Sequence, residues 1–203
     1  MTALEIADYI GIICFALSGF LIAVHYKLDI LGVFISSFLT ALGGGMTRDV
    51  LASKTPYVFT DTLPVILVIV TVFVSLIFKL HKFDDIEGKT AFIVSDAIGL
   101  VSFSITGSLV AIENNFNFLG VLILAFITAV GGGTIRDILI NRVPSILVSE
   151  FYATVALIVG LITYVLHILD LQSIPALIGV FVFGVVLRLL AYYQSWHLPT
   201  LSK

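Results

Sequence analysis

Residues 43–51 read Gly43-Gly44-Gly45-Met46-Thr47-Arg48-Asp49-Val50-Leu51, and residues 131–139 read Gly131-Gly132-Gly133-Thr134-Ile135-Arg136-Asp137-Ile138-Leu139. A gapless alignment at that offset pairs residues 8–56 with 96–144, and 21 of the 49 positions are identical. Asp8, Gly11, Phe15, Gly19, Gly32 and Thr40 each meet their own kind in the second copy. Chance does not give such a match, so the chain carries an internal duplication. The similarity fades after Pro56 and Pro144.

The composition is that of a chain built for lipid. Of 203 residues, 60% are hydrophobic and 11% charged, with a mean hydropathy of +1.18, far from the balance of a soluble domain. A hydrocarbon layer of about 30 Å is crossed by about 20 apolar residues in a helix. Seven such runs lie between polar breaks, at 6–25, 30–52, 61–79, 91–112, 118–140, 147–167 and 174–194. The sequence therefore predicts an all-α membrane protein, a single membrane domain over 1–203 with seven transmembrane helices. Repeat 1 covers 6–79, repeat 2 covers 91–167, and an extra seventh helix covers 174–194. Three crossings per unit start the second copy on the opposite face, so the units are expected to be inverted repeats, a topology common in membrane transport. The competing reading is an inert duplicated anchor.

Seven crossings place the termini on opposite faces. One face collects Lys27, Lys79, Lys82, Lys89, Arg142 and Lys203, whereas the other has only Lys54 outside the helices. Basic loops favour the cytoplasm, so the N terminus is expected outside. The C terminus and the loop His81-Lys82-Phe83-Asp84-Asp85 are expected inside. The first run is led by Glu5 and Asp8 and followed by no Ala-x-Ala site, so it reads as a retained helix rather than a signal peptide. Tyr192, Tyr193 and Trp196 fit an interfacial belt.

Three adjacent glycines cost a helix about 3 kcal/mol relative to alanines. Glycine lets the backbone bend, and freed backbone groups at membrane depth are tolerated only against protein or water. Gly43, Gly44, Gly45, Gly131, Gly132 and Gly133 are therefore expected to break their helices and line a pore, where carbonyls could replace a cation's hydration shell. Close helix packing is the competing reading, and the favoured one for Gly11, Gly19, Gly99 and Gly107.

Arg48, Asp49, Arg136 and Asp137 follow the triplets inside apolar spans, where a charge near the bilayer centre costs about 2.5–3.5 kcal/mol. Neighbours on a helix point about 100° apart, so each Arg is expected to seek a partner other than the Asp beside it. Arg48 lies roughly 27 Å along the second helix, at the level of Asp8. The same arithmetic pairs Arg136 with Asp96, one pair guarding each mouth. The competing reading is structural locking without contact with a permeant species. Ser18, Thr40, Thr106 and Thr128, with Ser36 and Ser37, could line a narrow path, although singly each suits a bond to its own helix backbone.

Several classes are not supported. No Gly-x-x-x-x-Gly-Lys-Ser motif indicates nucleotide-driven pumping, and no basic run indicates nucleic acid. Cys14 alone can form neither an intramolecular disulfide nor a cysteine metal cluster. His25, His81, His167 and His197 lack metal-site spacing, and Glu113 and Glu150 suit solvated helix borders. No cofactor, metal or catalytic centre is expected.

Gly-Gly-Gly-x-x-Arg-Asp twice, at 43–49 and 131–137, in a three-plus-three-plus-one arrangement resembles the prokaryotic branch of the trimeric intracellular cation (TRIC) channel family over nearly the whole chain. The resemblance implies a homotrimer in a bacterial or archaeal plasma membrane, in contact with its lipids. It implies a pore in each subunit, the second and fifth helices kinked at the triplets, and passive passage of potassium and sodium. Arg48 and Arg136 would oppose cations unless Asp8, Asp49, Asp96 and Asp137 offset them. Relatives with the same signature are also described as glycine transporters, so the alternative is a secondary transporter of glycine or another small amino acid.

Overall fold

The computed structural model describes residues 2–80, 90–148 and 151–196. In chain order the helices are α1 (Ala3–His25), α2 (Ile30–Leu51), a 3-10 turn (Tyr57–Phe59), α3 (Leu63–Ile77), α4 (Thr90–Glu113), α5 (Phe118–Leu139), α6 (Ser145–Val148), α7 (Tyr152–Ile168) and α8 (Ile174–Tyr193), with no strand among the described residues. The basic loop 81–89, Glu150, His197 and Lys203 lie outside those residues.

Local sequence sets the helix ends. Thr2 and Glu5 form a capping box at the start of α1. Asp29 caps α2 by accepting from Gly32 N at 2.7 Å, and Asn117 caps α5 by accepting from Gly120 N at 2.9 Å. Lys27, Ser53, Asn115 and Asn141 turn left-handed just past their helices. The amides of Leu28, Lys54, Phe116 and Arg142 then reach back to satisfy carbonyls of the last turns.

Five helices, α1, α2, α4, α5 and α8, are long and apolar enough to cross a bilayer. The expected third and sixth spans are shorter than predicted: α3 has 15 residues and α7 has 17. The chain spends residues 57–59 on the 3-10 turn, so α3 starts at Leu63 with Pro64 in its first turn. The segment expected to open the sixth span splits off as α6, and a left-handed Phe151 separates it from α7.

Helices α1, α2, α5 and α4 pack as a closed ring, α1 on α2, α2 on α5, α5 on α4 and α4 on α1. α3 lies on α1 and α2, α7 on α5 and α4, and α8 on α7 and α4. α1 and α4 run antiparallel: Gly11 sits under the Phe103 ring, Gly99 under the Phe15 ring, and the two rings meet edge to face at 5.2 Å. Outward faces carry exposed Ile66, Ile69 and Phe73 on α3 and Ile178, Val182 and Phe183 on α8. Apolar surface of this extent suits hydrocarbon, not water, and the chain is an integral, multi-pass membrane protein.

The triplets correct a sequence-based expectation. Both α2 and α5 run through their glycines without interruption, so the pore-lining breaks at Gly43, Gly44, Gly45, Gly131, Gly132 and Gly133 are not present. The physical reason is packing. A methyl on Gly44 would strike the Thr128 carbonyl oxygen, and one on Gly132 would strike that of Thr40. The two helices cross backbone against backbone, where small residues permit dispersion contact and Cα–H···O interactions of about 0.5–1 kcal/mol each. These contacts offset the helical cost of glycine. The same holds at Gly19, where an added methyl would come within 2.8 Å of the Ser36 carbonyl oxygen, and at Gly107, where it would come within 2.7 Å of that of Leu124.

Candidate functional site: two buried arginine clusters

The duplicated Arg-Asp dipeptides build two interior clusters at opposite ends of the α1–α4 pair. In the first, Arg48 Nη1 donates to both carboxylate oxygens of Asp8, at 2.8 and 3.0 Å, and to Thr106 Oγ1 at 3.3 Å. Its Nε donates to Asp49 Oδ1 at 2.8 Å. The other Asp49 oxygen accepts from the amide of Tyr57 at 3.0 Å, tying the turn after α2 to the cluster. The Tyr57 ring lies 5.4 Å from the Arg48 guanidinium and covers Gly45. Burial pushes the Tyr57 phenol well above its usual range, so its hydroxyl stays protonated.

The second cluster repeats the plan with a changed link to the distant aspartate and with Arg142 added 3.9 Å from Asp137 Oδ1. Arg136 Nε donates to Asp137 Oδ1 at 2.8 Å, and Asp137 Oδ2 accepts from the amide of Ser145 at 2.8 Å. Arg136 does not reach Asp96 directly. Its Nη1 donates to Ser18 Oγ at 3.2 Å, and Ser18 in turn donates to Asp96 Oδ1 at 3.2 Å. The expected Asp8–Arg48 pair is thus an ion pair, whereas the expected Asp96–Arg136 pair is bridged by a hydroxyl. Each arginine takes its hydroxyl partner from the other repeat. Ser18 follows Asp8 by ten positions on α1, about 15 Å of helix, and Thr106 follows Asp96 by the same interval on α4.

The pairing of each Arg with its adjacent Asp contradicts the helical-wheel expectation. The backbone directions do diverge, but the arginine side chain is long enough to curl back, so Nε meets the neighbouring carboxylate while Nη1 reaches across to another helix. Each neighbouring Asp therefore locks both an arginine and the loop that follows.

A vestibule opens onto each cluster. The first, of about 260 Å³, is lined by Asp8, Tyr9, Arg48, Asp49, Tyr57 and Asp61 among others. The second, of about 140 Å³, is lined by Asp96, Arg142, Ser145, Tyr152, Arg188 and Tyr192 among others. Ser18, Thr40, Thr106 and Thr128 are fully buried. Thr40 and Thr128 bond the backbone of their own helices, to Ser36 O and Leu124 O at 2.6 Å; Thr106 likewise donates to Phe103 O at 3.3 Å while accepting from Arg48, and Ser18 joins Arg136 to Asp96. Ser36 crosses helices to the Gly19 carbonyl at 2.9 Å, and Ser37 bonds Val33 O in its own helix.

Arg188 escaped the reading of the sequence. It stacks 4.9 Å from the Tyr152 ring and 5.9 Å from that of Tyr192, and stands by Asp96 at the second vestibule. Its signal was visible, since a lone arginine within an otherwise apolar span is a functional candidate by default. Among the described residues no group of three or more His, Cys, Asp or Glu is arranged to hold a metal ion.

Fold and site together define a multi-pass membrane protein whose charges are gathered into two interior clusters. The family model described as "Glycine transporter" matches the chain twice, at residues 5–80 and 93–168. The UPF0126 membrane protein YvgT of Bacillus subtilis is 35% identical, with 98% of this chain and 97% of that protein covered. The UPF0126 inner membrane protein YadS of Escherichia coli K12 is 34% identical, covering 96% and 94%. A chain solved in work on the structural basis for conductance through TRIC cation channels superposes with a TM-score of 0.85 at 37% identity, covering 98% and 97%. The TRIC trimeric intracellular cation channel orthologue from Rhodobacter sphaeroides does so with a TM-score of 0.87 at 25% identity, covering 96% and 100%. The chain belongs to this family, which joins the glycine-transporter description and the prokaryotic TRIC channels.

Proposed function

We propose that the protein is a passive channel for monovalent cations, potassium and sodium, working as a homotrimer with a pore in each subunit between α2 and α5. The observation that carries this reading is the whole-length match, at 37% identity and a TM-score of 0.85, to a structure solved as a TRIC cation channel. The first cluster supports it electrostatically. Two carboxylates, Asp8 and Asp49, surround one arginine, and Glu5 and Asp61 also line that vestibule, where Glu113 lies beside Lys54, so acids outnumber bases there and the mouth attracts cations. The two repeats act as inverted halves, each supplying one vestibule. Where Gly44 meets Thr128 and Gly132 meets Thr40, the space between α2 and α5 is occluded, and conduction requires the helices to part there.

The N terminus is assigned to the outside. Lys54 is the one basic residue of that face outside the helices, and this asymmetry of basic residues between the loops supports the assignment. The second reading, a glycine transporter, draws on the family description. One preparation separates the two. Purified protein is reconstituted in liposomes and assayed for potassium efflux and radiolabelled glycine uptake; efflux without uptake supports the channel, and gradient-driven glycine accumulation without efflux supports the transporter.

A further inference from the structure

Two side-chain polar atoms among the described residues are buried without a hydrogen-bond partner, Tyr57 Oη and Ser102 Oγ. Buried polar groups are nearly always paired, because an unpaired one loses its bond to water and gains none. Tyr57 belongs to the first cluster. Ser102 stands apart from both, near the middle of α4 and about 16 Å of helix before Glu113. The other buried serines of α4 donate to carbonyls: Ser95 to Phe92 O at 3.0 Å, Ser104 to Ala156 O at 2.6 Å and Ser108 to Ser104 O at 2.8 Å. A serine within a helix has the carbonyl four residues back to bond, and Ser102 leaves it unused.

Ser102, fully buried itself, lines a groove of about 160 Å³ between α1, α4 and α8. Ile6 and Ile10 of α1, Ile105 of α4, and Ile178 and Phe181 of α8 form its apolar walls. Ile6, Ile10 and Ile178 are exposed, so the groove opens sideways into hydrocarbon. Among the described residues Ser102 is the one polar side chain of the lining, and that selects the occupant. An ion at this depth finds no counter-charge. A buried water needs two to four polar partners. A plain acyl chain covers the walls but leaves the hydroxyl unpaired. The match is a small hydrocarbon body carrying one oxygen acceptor, and an apolar cavity of about 150 Å³ holds a guest the size of benzene.

We propose that this groove is an intramembrane binding site for a neutral, membrane-dissolved alcohol or ketone. Its oxygen accepts from the Ser102 hydroxyl, and its hydrocarbon part packs on Ile10, Ile105 and Phe181. The site is separate from both vestibules, and its occupancy does not depend on what the protein passes.

The test is photolabelling of the purified full-length protein in detergent with an octanol that carries a diazirine, the labelled peptides being identified by mass spectrometry. Saturable labelling of the groove walls, displaced by unlabelled octanol, is expected. Ser102→Ala should weaken the half-saturating concentration about fivefold, the effect of one neutral hydrogen bond. The matching diazirine octane, which lacks the oxygen, should label wild type and Ser102→Ala with equal affinity. Ala7→Phe, which fills the groove from its α1 wall, should abolish labelling by both probes, and Ile178→Trp serves if that variant does not fold. Without alcohol, Ser102→Ala should unfold at or above the wild-type temperature, since it removes an unpaired hydroxyl. Equal octanol affinity in wild type and Ser102→Ala reduces the groove to an acyl-chain surface and overturns the proposal. So does unsaturable label spread over the outward faces, a groove left unlabelled because a second copy of the chain covers it, or a loss of stability in alcohol-free Ser102→Ala.

Discussion

Gly44 on α2 lies directly against the carbonyl oxygen of Thr128 on α5, and the duplication places Gly132 against Thr40 in the same way. This reciprocal contact gives each glycine of the triplets a different tolerance to substitution. Gly44→Ala and Gly132→Ala should be destabilising by about 1–3 kcal/mol through overpacking. Gly133 has only the Arg136 Nη2 atom at 3.7 Å near an added methyl, so Gly133→Ala should gain up to about 1 kcal/mol of helix propensity. Thermal unfolding in detergent reads the order directly: Gly133→Ala at or above wild type, the other two below it.

The Asp8–Arg48 contact is a buried ion pair, whereas Asp96 meets Arg136 through Ser18. Removing one member of a buried pair costs about 3–5 kcal/mol, so Asp8→Ala should be among the most destabilising single changes. A double-mutant cycle for Asp8 and Arg48 should show a coupling at least about 1 kcal/mol larger than the cycle for Asp96 and Arg136. Equal couplings would mean that the bridge is as strong as the direct contact.

The vestibules differ in charge. Asp8, Asp49, Asp61 and Glu113 line the first beside Arg48 and Lys54, while Arg142 and Arg188 line the second beside Asp96. In symmetric potassium chloride, cation current entering from the first vestibule should exceed current entering from the second. The asymmetry should shrink in Asp61→Asn, which removes an exposed charge but keeps the oxygen that accepts from Leu63 N at 2.9 Å. It should also shrink as salt rises and screening shortens the reach of the vestibule charges. Current–voltage curves of channels of known orientation provide the check.

Much of this was legible in the residues because it follows from spacing. Helix length arithmetic brought Asp8 to Arg48, and a packing role for Gly11 and Gly99 followed from the close approach that small residues allow between helices in lipid. Three features were not legible. Propensity alone made the triplets look like breaks, because a cost local to one helix is visible in its sequence and the carbonyl that offsets it, on another helix, is not. The wheel angle between Arg48 and Asp49 ignored the reach of an arginine side chain. Arg188 lies outside the duplication, so no repeat drew attention to it, and its aromatic partners Tyr152 and Tyr192 come from two helices that only the fold brings together.

The central claim is that the protein passes monovalent cations down their gradient, and the reversal potential of single channels under a potassium chloride gradient tests it most directly. A reversal close to the potassium equilibrium potential, shifted little when sodium replaces potassium on one side, is the expected result. A reversal near the chloride potential, or a membrane that stays silent while the same protein accumulates glycine in liposomes, would contradict it.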